Sequence, residues 1–278
     1  QYIRAGAGLL LFRERDPETF PLSEETRLTV TPYLNAGDHR LHDGFHGTDF
    51  VGGLSSEIRI ELYRGAELLL GVDAERVSGE VENRIDGEQI EPPVMAAVSF
   101  FNQLTLRPFA PLTLVLGSRE FYSNVYDFVL LYKAGAKLYV VDGLYLRTRL
   151  ARNFRQPTIR ELYLPYPTSN PELRPEYSLN WDFGGGWTSE RLEVACTGYR
   201  TAADDMIKYF GAWPSAEVVN IDRVVIWGVE GRITLRPFDW LSLRVTGDLQ
   251  EVGRYTRQNP DAKLNFGLDV EWETGGHL

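Results

Sequence analysis

The sequence predicts an all-β chain, an antiparallel up-and-down barrel that crosses a membrane. Three observations carry that reading. Apolar and polar residues alternate with a period of two through most of the 278 residues, the period of a strand whose two faces meet different solvents. Several alternating segments are long, matching the roughly 9–11 residues a tilted strand needs to cross hydrocarbon. Connections alternate between short and long, as in a barrel with tight turns on one rim and loops on the other.

About thirteen segments satisfy the two-residue period: 2–13, 26–34, 54–64, 67–77, 94–107, 110–120, 125–134, 137–151, 175–184, 189–200, 217–236, 240–252 and 262–274. In 263–273, Leu264, Phe266, Leu268, Val270 and Trp272 share one face, with Lys263, Asn265, Asp269, Glu271 and Glu273 on the other. In 241–250, Leu241, Leu243, Val245 and Leu249 oppose Ser242, Arg244, Thr246, Asp248 and Gln250. Val225, Trp227, Val229, Ile233 and Leu235 likewise oppose Glu230, Arg232, Thr234 and Arg236, and Tyr177, Leu179, Trp181 and Phe183 oppose Glu176, Ser178, Asn180 and Asp182. A charged face of this kind suits a wet interior.

Short turns are expected at Gly65, 107–111, 133–137, 184–187, 236–240 and 274–276, and long loops at 35–53, 78–93, 152–174, 201–216 and 252–261. The connection 14–26 is longer than its place in this alternation predicts. Aromatic residues gather near strand ends (Phe109, Phe121, Tyr122, Tyr126, Trp187, Trp213, Phe238, Trp240), where amphipathic rings meet a membrane interface. In the loop 152–174, Pro157 and Pro171, with Pro175 just beyond it, fix φ and bias their predecessors to extended geometry. That favours a loop with a defined shape over a floppy tether.

Composition narrows the function. With 43% hydrophobic and 12% aromatic residues the chain folds. A net charge of −10 and a pI near 5.0 argue against a nucleic-acid surface. The single cysteine, Cys196, forms no internal disulfide and no cysteine metal knuckle. No apolar run reaches the length of a transmembrane helix, a test that does not apply to barrels. No nucleophile elbow, phosphate loop or zinc-protease motif occurs, so an enzyme is not expected.

Two motifs then carry a resemblance. Residues 144–163, "LYLRTRLARNFRQPTIRELY", lead into "NPELRPE" at 170–176. The pair resembles the barrel domain of TonB-dependent outer-membrane receptors, in which a Phe-Arg-x-Pro-Thr-x-x-Glu-Leu-Tyr segment precedes an Asn-Pro-x-Leu-x-Pro-Glu segment that opens the next strand. Residues 111–124, 204–210, 218–237 and 240–249 resemble further strands of that family. The resemblance implies a 22-stranded barrel around an N-terminal plug. Residues 1–278 are accordingly expected to be one partial barrel domain, a fragment of about thirteen strands lacking the plug, placed in the bacterial outer membrane.

The resemblance implies active, TonB-coupled uptake of a scarce nutrient: a ferric siderophore or other iron chelate, haem or cobalamin as transported ligand, with no tightly bound cofactor. It implies as partners TonB, through a plug region outside this chain, the lipid bilayer with its lipopolysaccharide, and a small metal chelate. Arg147 and Arg149, with Arg59, Arg191, Arg232 and Arg244, are expected on the interior wall. There they would guide an anionic chelate or pair with plug acids, or simply pair with Glu61, Glu193 and Glu230. Tyr163, Tyr166, Tyr209 and Trp213 would stack on a ligand or pack a loop against the rim. His39, His42 and His46, interspersed with Asp38, Asp43 and Asp49, would suit a transition metal, or form a polar loop that binds nothing. A passive porin-like or structural barrel, and a soluble β-sandwich or propeller, are the competing readings.

Overall fold

The computed structural model describes residues 2–4, 7–12, 25–40, 45–83, 87–163, 169–211, 216–252 and 260–271. They form β1 (Tyr2–Arg4), β2 (Ala7–Phe12), β3 (Glu25–Arg40), β4 (Phe45–Tyr63), β5 (Ala66–Asn83), β6 (Glu88–Ile90), β7 (Met95–Phe109) and β8 (Leu112–Ser123). There follow β9 (Val129–Val141), β10 (Leu144–Arg155), the single-turn helix α1 (Ile159–Tyr163), β11 (Glu176–Thr188), β12 (Leu192–Phe210), β13 (Glu217–Phe238), β14 (Leu241–Val252) and β15 (Ala262–Val270). All strands join one sheet, ordered β1-β3-β4-β5-β7-β8-β9-β10-β11-β12-β13-β14-β15, with β2 also on β3 and β6 on β5. Every pairing is antiparallel among the described residues, and from β3 onward each long strand pairs with the next long strand. This is the up-and-down meander expected.

Register carries the alternation from strand to strand. Leu150 pairs with Trp181, Trp181 with Arg200 and Arg200 with Trp227, while Arg149 pairs with Asp182 and Asp182 with Tyr199. Since successive side chains point to opposite faces, one face collects Leu116, Leu146, Trp181, Phe183, Val229, Ile233 and Phe266, all at least 41% exposed. No second layer covers them among the described residues, so the apolar faces do not meet in a dry two-layer interior. The other face collects the charged partners.

That polar face is concave. A buried cluster joins Met95 of β7 to Ile207 of β12 and Val218 of β13 through Leu162 and Leu173, with Val77 of β5 packed alongside. β7 and β12 are five ladder steps apart in the sheet, roughly 24 Å if it were flat. One short loop spans them only because the sheet curls around it.

Two expected turns fall elsewhere. Residues 133–137 lie inside β9, and the chain reverses at Asp142–Gly143, where Gly143 has φ +75. Asp-Gly with a positive φ is the stronger hairpin signal. Residues 184–187 lie inside β11. There glycine makes room: a Cβ on Gly186 would sit 2.7 Å from Tyr145 Oη and 2.7 Å from Val194 O. Gly65 does turn, with φ +96. The expected loops at 35–53 and 201–216 are largely strand, since β3 and β4 run to Arg40 and from Phe45, and β12 runs to Phe210. Residues 14–24 and 274–276 lie outside the described residues.

Candidate functional site

The two motifs of 154–163 and 170–176 build one object at the long-loop rim. Thr158 caps α1: its Oγ1 accepts from the Glu161 amide at 3.2 Å, while Glu161 Oε2 accepts from the Thr158 amide at 2.8 Å. This is a reciprocal capping box, with Pro157 fixing the entry and fully buried. Arg155 donates to both oxygens of Glu161 at 3.2 and 3.0 Å and, through Nη2, to Glu176 Oε1 at 2.7 Å. Glu176 Oε1 also accepts from the Ile207 amide at 2.7 Å. The arginine of the first motif therefore clasps the last residue of the second. Burial works to raise the Glu161 carboxyl, but Arg155 and the Thr158 donors outweigh it and hold the group below the usual carboxylate range.

The second motif is stitched to the neighbouring strands. The Asn170 amide donates to Glu161 O at 2.9 Å, and Asn170 Nδ2 to Val218 O at 3.2 Å. Asn220 Oδ1 accepts from the Arg174 amide at 2.8 Å, and Asn220 Nδ2 returns to Arg174 O at 2.8 Å. Arg174 pairs with Asp205, whose φ of 57 makes it the one positive-φ residue other than glycine among the described residues. An aspartate tolerates that geometry. Leu162 and Leu173, 1% and 3% exposed, complete the core beneath. Each contributes about 1.5–3 kcal/mol by leaving water.

Below this loop lies the concave wall. An open cavity of about 430 Å³ is lined by Arg147, Arg149, Asn180, Asp182, Tyr199 and Glu230, among others. Arg149 Nε donates to Asp182 Oδ2 at 2.6 Å, and Arg147 Nη2 donates to Thr197 Oγ1 at 2.9 Å. Arg147 sits directly across from Lys137, a like-charge pair that is unfavourable alone. Lys137 swings to Tyr139, donating to its hydroxyl at 2.7 Å and lying 4.5 Å from the Tyr139 and Tyr145 ring centres. Lys133 shares this face. Further along, Arg119 pairs with Asp73 at 2.9 Å, and Tyr33 donates to Glu75 at 2.7 Å.

The expected site residues separate into groups. Arg147 and Arg149 meet on the wall, and Arg59, Arg232 and Arg244 share their face. Arg191 does not; it lies in the turn after β11 and donates to Pro237 O at 2.9 Å. Arg59 lies 3.7 Å from Glu67 and Arg244 lies 3.5 Å from Asp269. Tyr163 packs against the buried cluster, while Tyr209 is 41% exposed. Tyr166, Trp213 and His42 lie outside the described residues.

His39 and His46 are not brought together. His39 pairs with Gly47 and Arg40 with His46 in the β3–β4 ladder, which puts the two rings on opposite faces. His39 Nε2 lies 2.6 Å from Asp49 Oδ1 on the concave side; His46 Nε2 lies 2.9 Å from Asp38 Oδ1 on the other. The hydrogen bond from Arg40, against a weaker effect of burial, holds the Asp38 carboxyl below its ordinary value, with His46 assisting. Among the described residues no group of three or more His, Cys, Asp or Glu is arranged to hold a metal ion.

Sequence reasoning missed Glu161, Glu176, Asn170 and Asn220 as the clasp. The Thr-x-x-Glu capping signature at 158–161 was the legible signal.

Residues 23–277 match the family model described as TonB dependent receptor-like, beta-barrel. The chain belongs to the TonB-dependent receptor barrel family. Members of this family are receptors and transporters of the bacterial outer membrane, not enzymes. Over 100 residues this TonB-dependent receptor barrel is 30% identical to the vitamin B12 transporter BtuB of Photobacterium profundum, covering 33% of this chain and 16% of that protein. Its fold is similar to the siderophore receptor PirA from Pseudomonas aeruginosa, at 16% identity and TM-score 0.67, over 88% of this chain and 51% of that one. It is also similar to the copper transporter OprC, at 16% identity and TM-score 0.72, over 98% of this chain and 51% of that one. The TonB-dependent receptor barrel described here thus spans about half the length of those solved chains.

Proposed function

We propose that this barrel wall serves TonB-coupled active uptake of a scarce nutrient, most simply a ferric siderophore or another anionic iron chelate. One observation carries the reading. Lys133, Lys137, Arg147 and Arg149 share the concave face on two adjacent strands, and Asp182 is the one carboxylate paired with any of them among the described residues. In a chain of net charge −10, a basic strip beside a cavity of about 430 Å³ is suited to draw in an anionic ligand. Tyr199, Asn180 and Thr201 add neutral hydrogen-bonding groups to the same wall.

The clasped motifs of 154–163 and 170–176 supply the ceiling above that strip. Their role is positional: they hold the rim of β10–β13 while ligand moves past. Growth of a strain lacking the intact gene, on limiting iron with a panel of siderophores, haem or cobalamin-dependent medium, tests the reading. Loss of growth on an anionic chelate, restored by the wild-type gene and not by Arg147→Glu/Arg149→Glu, is expected. Normal growth on every source would remove nutrient uptake, and equal rescue by the charge-reversed gene would remove the basic wall from it.

A further inference from the structure

Two features of the convex face complement each other and sit on different strands. At β12 the wall is hollowed. Gly185 pairs with Cys196, and with Gly198 they open an apolar depression of about 510 Å³ walled by Trp181 and Phe183 and edged by Arg200. Arg200 has Trp181 and Trp227 as cross-strand neighbours, and it forms no ion pair or hydrogen bond with another side chain among the described residues. At β8 the same face projects instead. Leu116 is 52% exposed, and Glu120 lies above it on that face. Ser118 Oγ donates to Glu120 Oε1 at 2.7 Å and accepts from Asn102 Nδ2 at 2.7 Å, while Glu120 Oε2 has no partner among the described residues. An ionisable group on the apolar side of a membrane wall points to a partner.

Knob and hollow lie at one height, and so do the two charges. Leu116 and Cys196 are each four residues above the first residue of their strands, Leu112 and Leu192, and Glu120 and Arg200 are each eight above. A level short-turn rim accounts for the register between these strands. The cross-strand run Leu112, Leu138, Leu146, Gly185, Cys196 gains four residues of height in four ladder steps. At about 3.3 Å per residue and about 4.8 Å per step, a level rim then needs a tilt of about 35°, which outer-membrane barrels have. Leu116 and the hollow therefore stand about 11 Å up the wall. The charges stand about 22 Å up, near the top of an apolar band about 25 Å tall.

We propose that this face joins copies of the receptor into a ring of three, with Leu116 of each copy in the hollow of the next and Glu120 paired with the next copy's Arg200. β8 and β12 are four strand steps apart, which is about 65° around a barrel of about 22 strands. The contact is heterologous, and such contacts close into a ring when the rotation between copies allows it. Each member of a ring of three meets its two neighbours about 60° apart, and each member of a ring of four about 90° apart. Three fits the spacing of the strands. A second copy suits this face better than lipid because Glu120 repels a headgroup phosphate but complements a guanidinium. Close to the hydrocarbon that ion pair is less hydrated than on a soluble surface and correspondingly stronger. The inference rests on the membrane placement of the barrel and not on uptake, so the two fail separately.

The test uses the intact receptor in its outer membrane, with Cys196 kept and any cysteine outside residues 1–278 replaced by Ser. Leu116→Cys should form a disulfide with Cys196 of the neighbouring copy on mild oxidation, giving dimers and trimers on a non-reducing gel and nothing larger. Leu264→Cys, on the same face of β15 and 63% exposed, controls for chance collision and should crosslink at least about tenfold less. Added to Leu116→Cys, Glu120→Arg should lower the crosslinked fraction by about tenfold, and the exchange Glu120→Arg/Arg200→Glu should restore it to within about twofold. Crosslinking no greater than that of the control, a ladder running past three, or no recovery in the charge exchange would each overturn the proposal. Folding is checked by heat-modifiable mobility, and if a charge variant does not fold, Leu116→Cys against its control decides alone.

Discussion

Replacing Glu161 by Ala should unlock the loop clasp without dismantling the wall. The substitution removes one side of the capping box, worth about 1 kcal/mol, and both oxygens that receive Arg155. Breaking a buried ion pair costs about 3–5 kcal/mol. Here that range is reduced, because the Arg155 side chain is 42% exposed and keeps Glu176, whereas Glu161 is 9% exposed. A local destabilisation of about 2–3 kcal/mol follows, which is roughly a 30- to 150-fold rise in amide exchange for residues 159–163. Hydrogen exchange read by mass spectrometry on the detergent-solubilised receptor measures it, with peptides from β10 and β14 as internal standards. The conservative Glu161→Gln, which can still cap, should lose less. If exchange in 159–163 stays within about threefold of wild type, the clasp does not hold the loop.

Acid should do the same reversibly. Because the Glu161 carboxyl sits below its unfolded value, its contribution is complete above the ordinary carboxylate range and is lost as pH falls through the lowered folded value. Exchange of 159–163 should therefore rise on acidification below the ordinary carboxylate pKa, and the Ala variant should lack that dependence. Tyr126 packs on the same cluster with its hydroxyl buried and unpartnered among the described residues, and burial pushes its pKa up to about 12. Tyr126→Phe should thus leave thermal stability unchanged or raise it by up to about 1 kcal/mol; a marked loss would mean the hydroxyl has a partner. Val229→Arg, on the convex face, should cost about 2–4 kcal/mol in a lipid-based unfolding titration, and Glu230→Lys on the adjacent concave position far less. Gly143→Val should lower the yield of folded barrel, since a Cβ there would collide with Thr188 O at φ +75; a normal yield would show the turn can reshape.

Strands and their faces were legible because the two-residue period is imposed by solvent on every crossing, and Leu264 through Val270 show it without interruption. Strand ends were not. Beyond the membrane both faces of β3 and β4 are wet, so Asp38, His39 and Arg40 lose the apolar partner that marks a strand, and the hairpin reads as a loop. Glycine misled in the opposite sense: Gly135 and Gly184–Gly186 suggest turns, yet β11 needs Gly186 to admit the Tyr145 ring. The basic wall was visible in Arg147 and Arg149 through their shared parity. Its lysines and its acid Asp182 required the register, which no single strand specifies. For the same reason His39 and His46 looked like one cluster: near each other in the chain, they part only once the hairpin pairs Arg40 with His46.

Cysteine scanning of Val225–Arg232 on β13, in a Cys196→Ser background of the intact receptor in its membrane, tests most directly which side of the wall meets lipid. Positions 225, 227 and 229 should react with a bilayer-soluble probe and resist a charged thiol reagent. Positions 228, 230 and 232 should show the reverse. One uniform preference along the strand, or the opposite alternation, would contradict a wall that turns its apolar side chains to lipid and its charges to a pore.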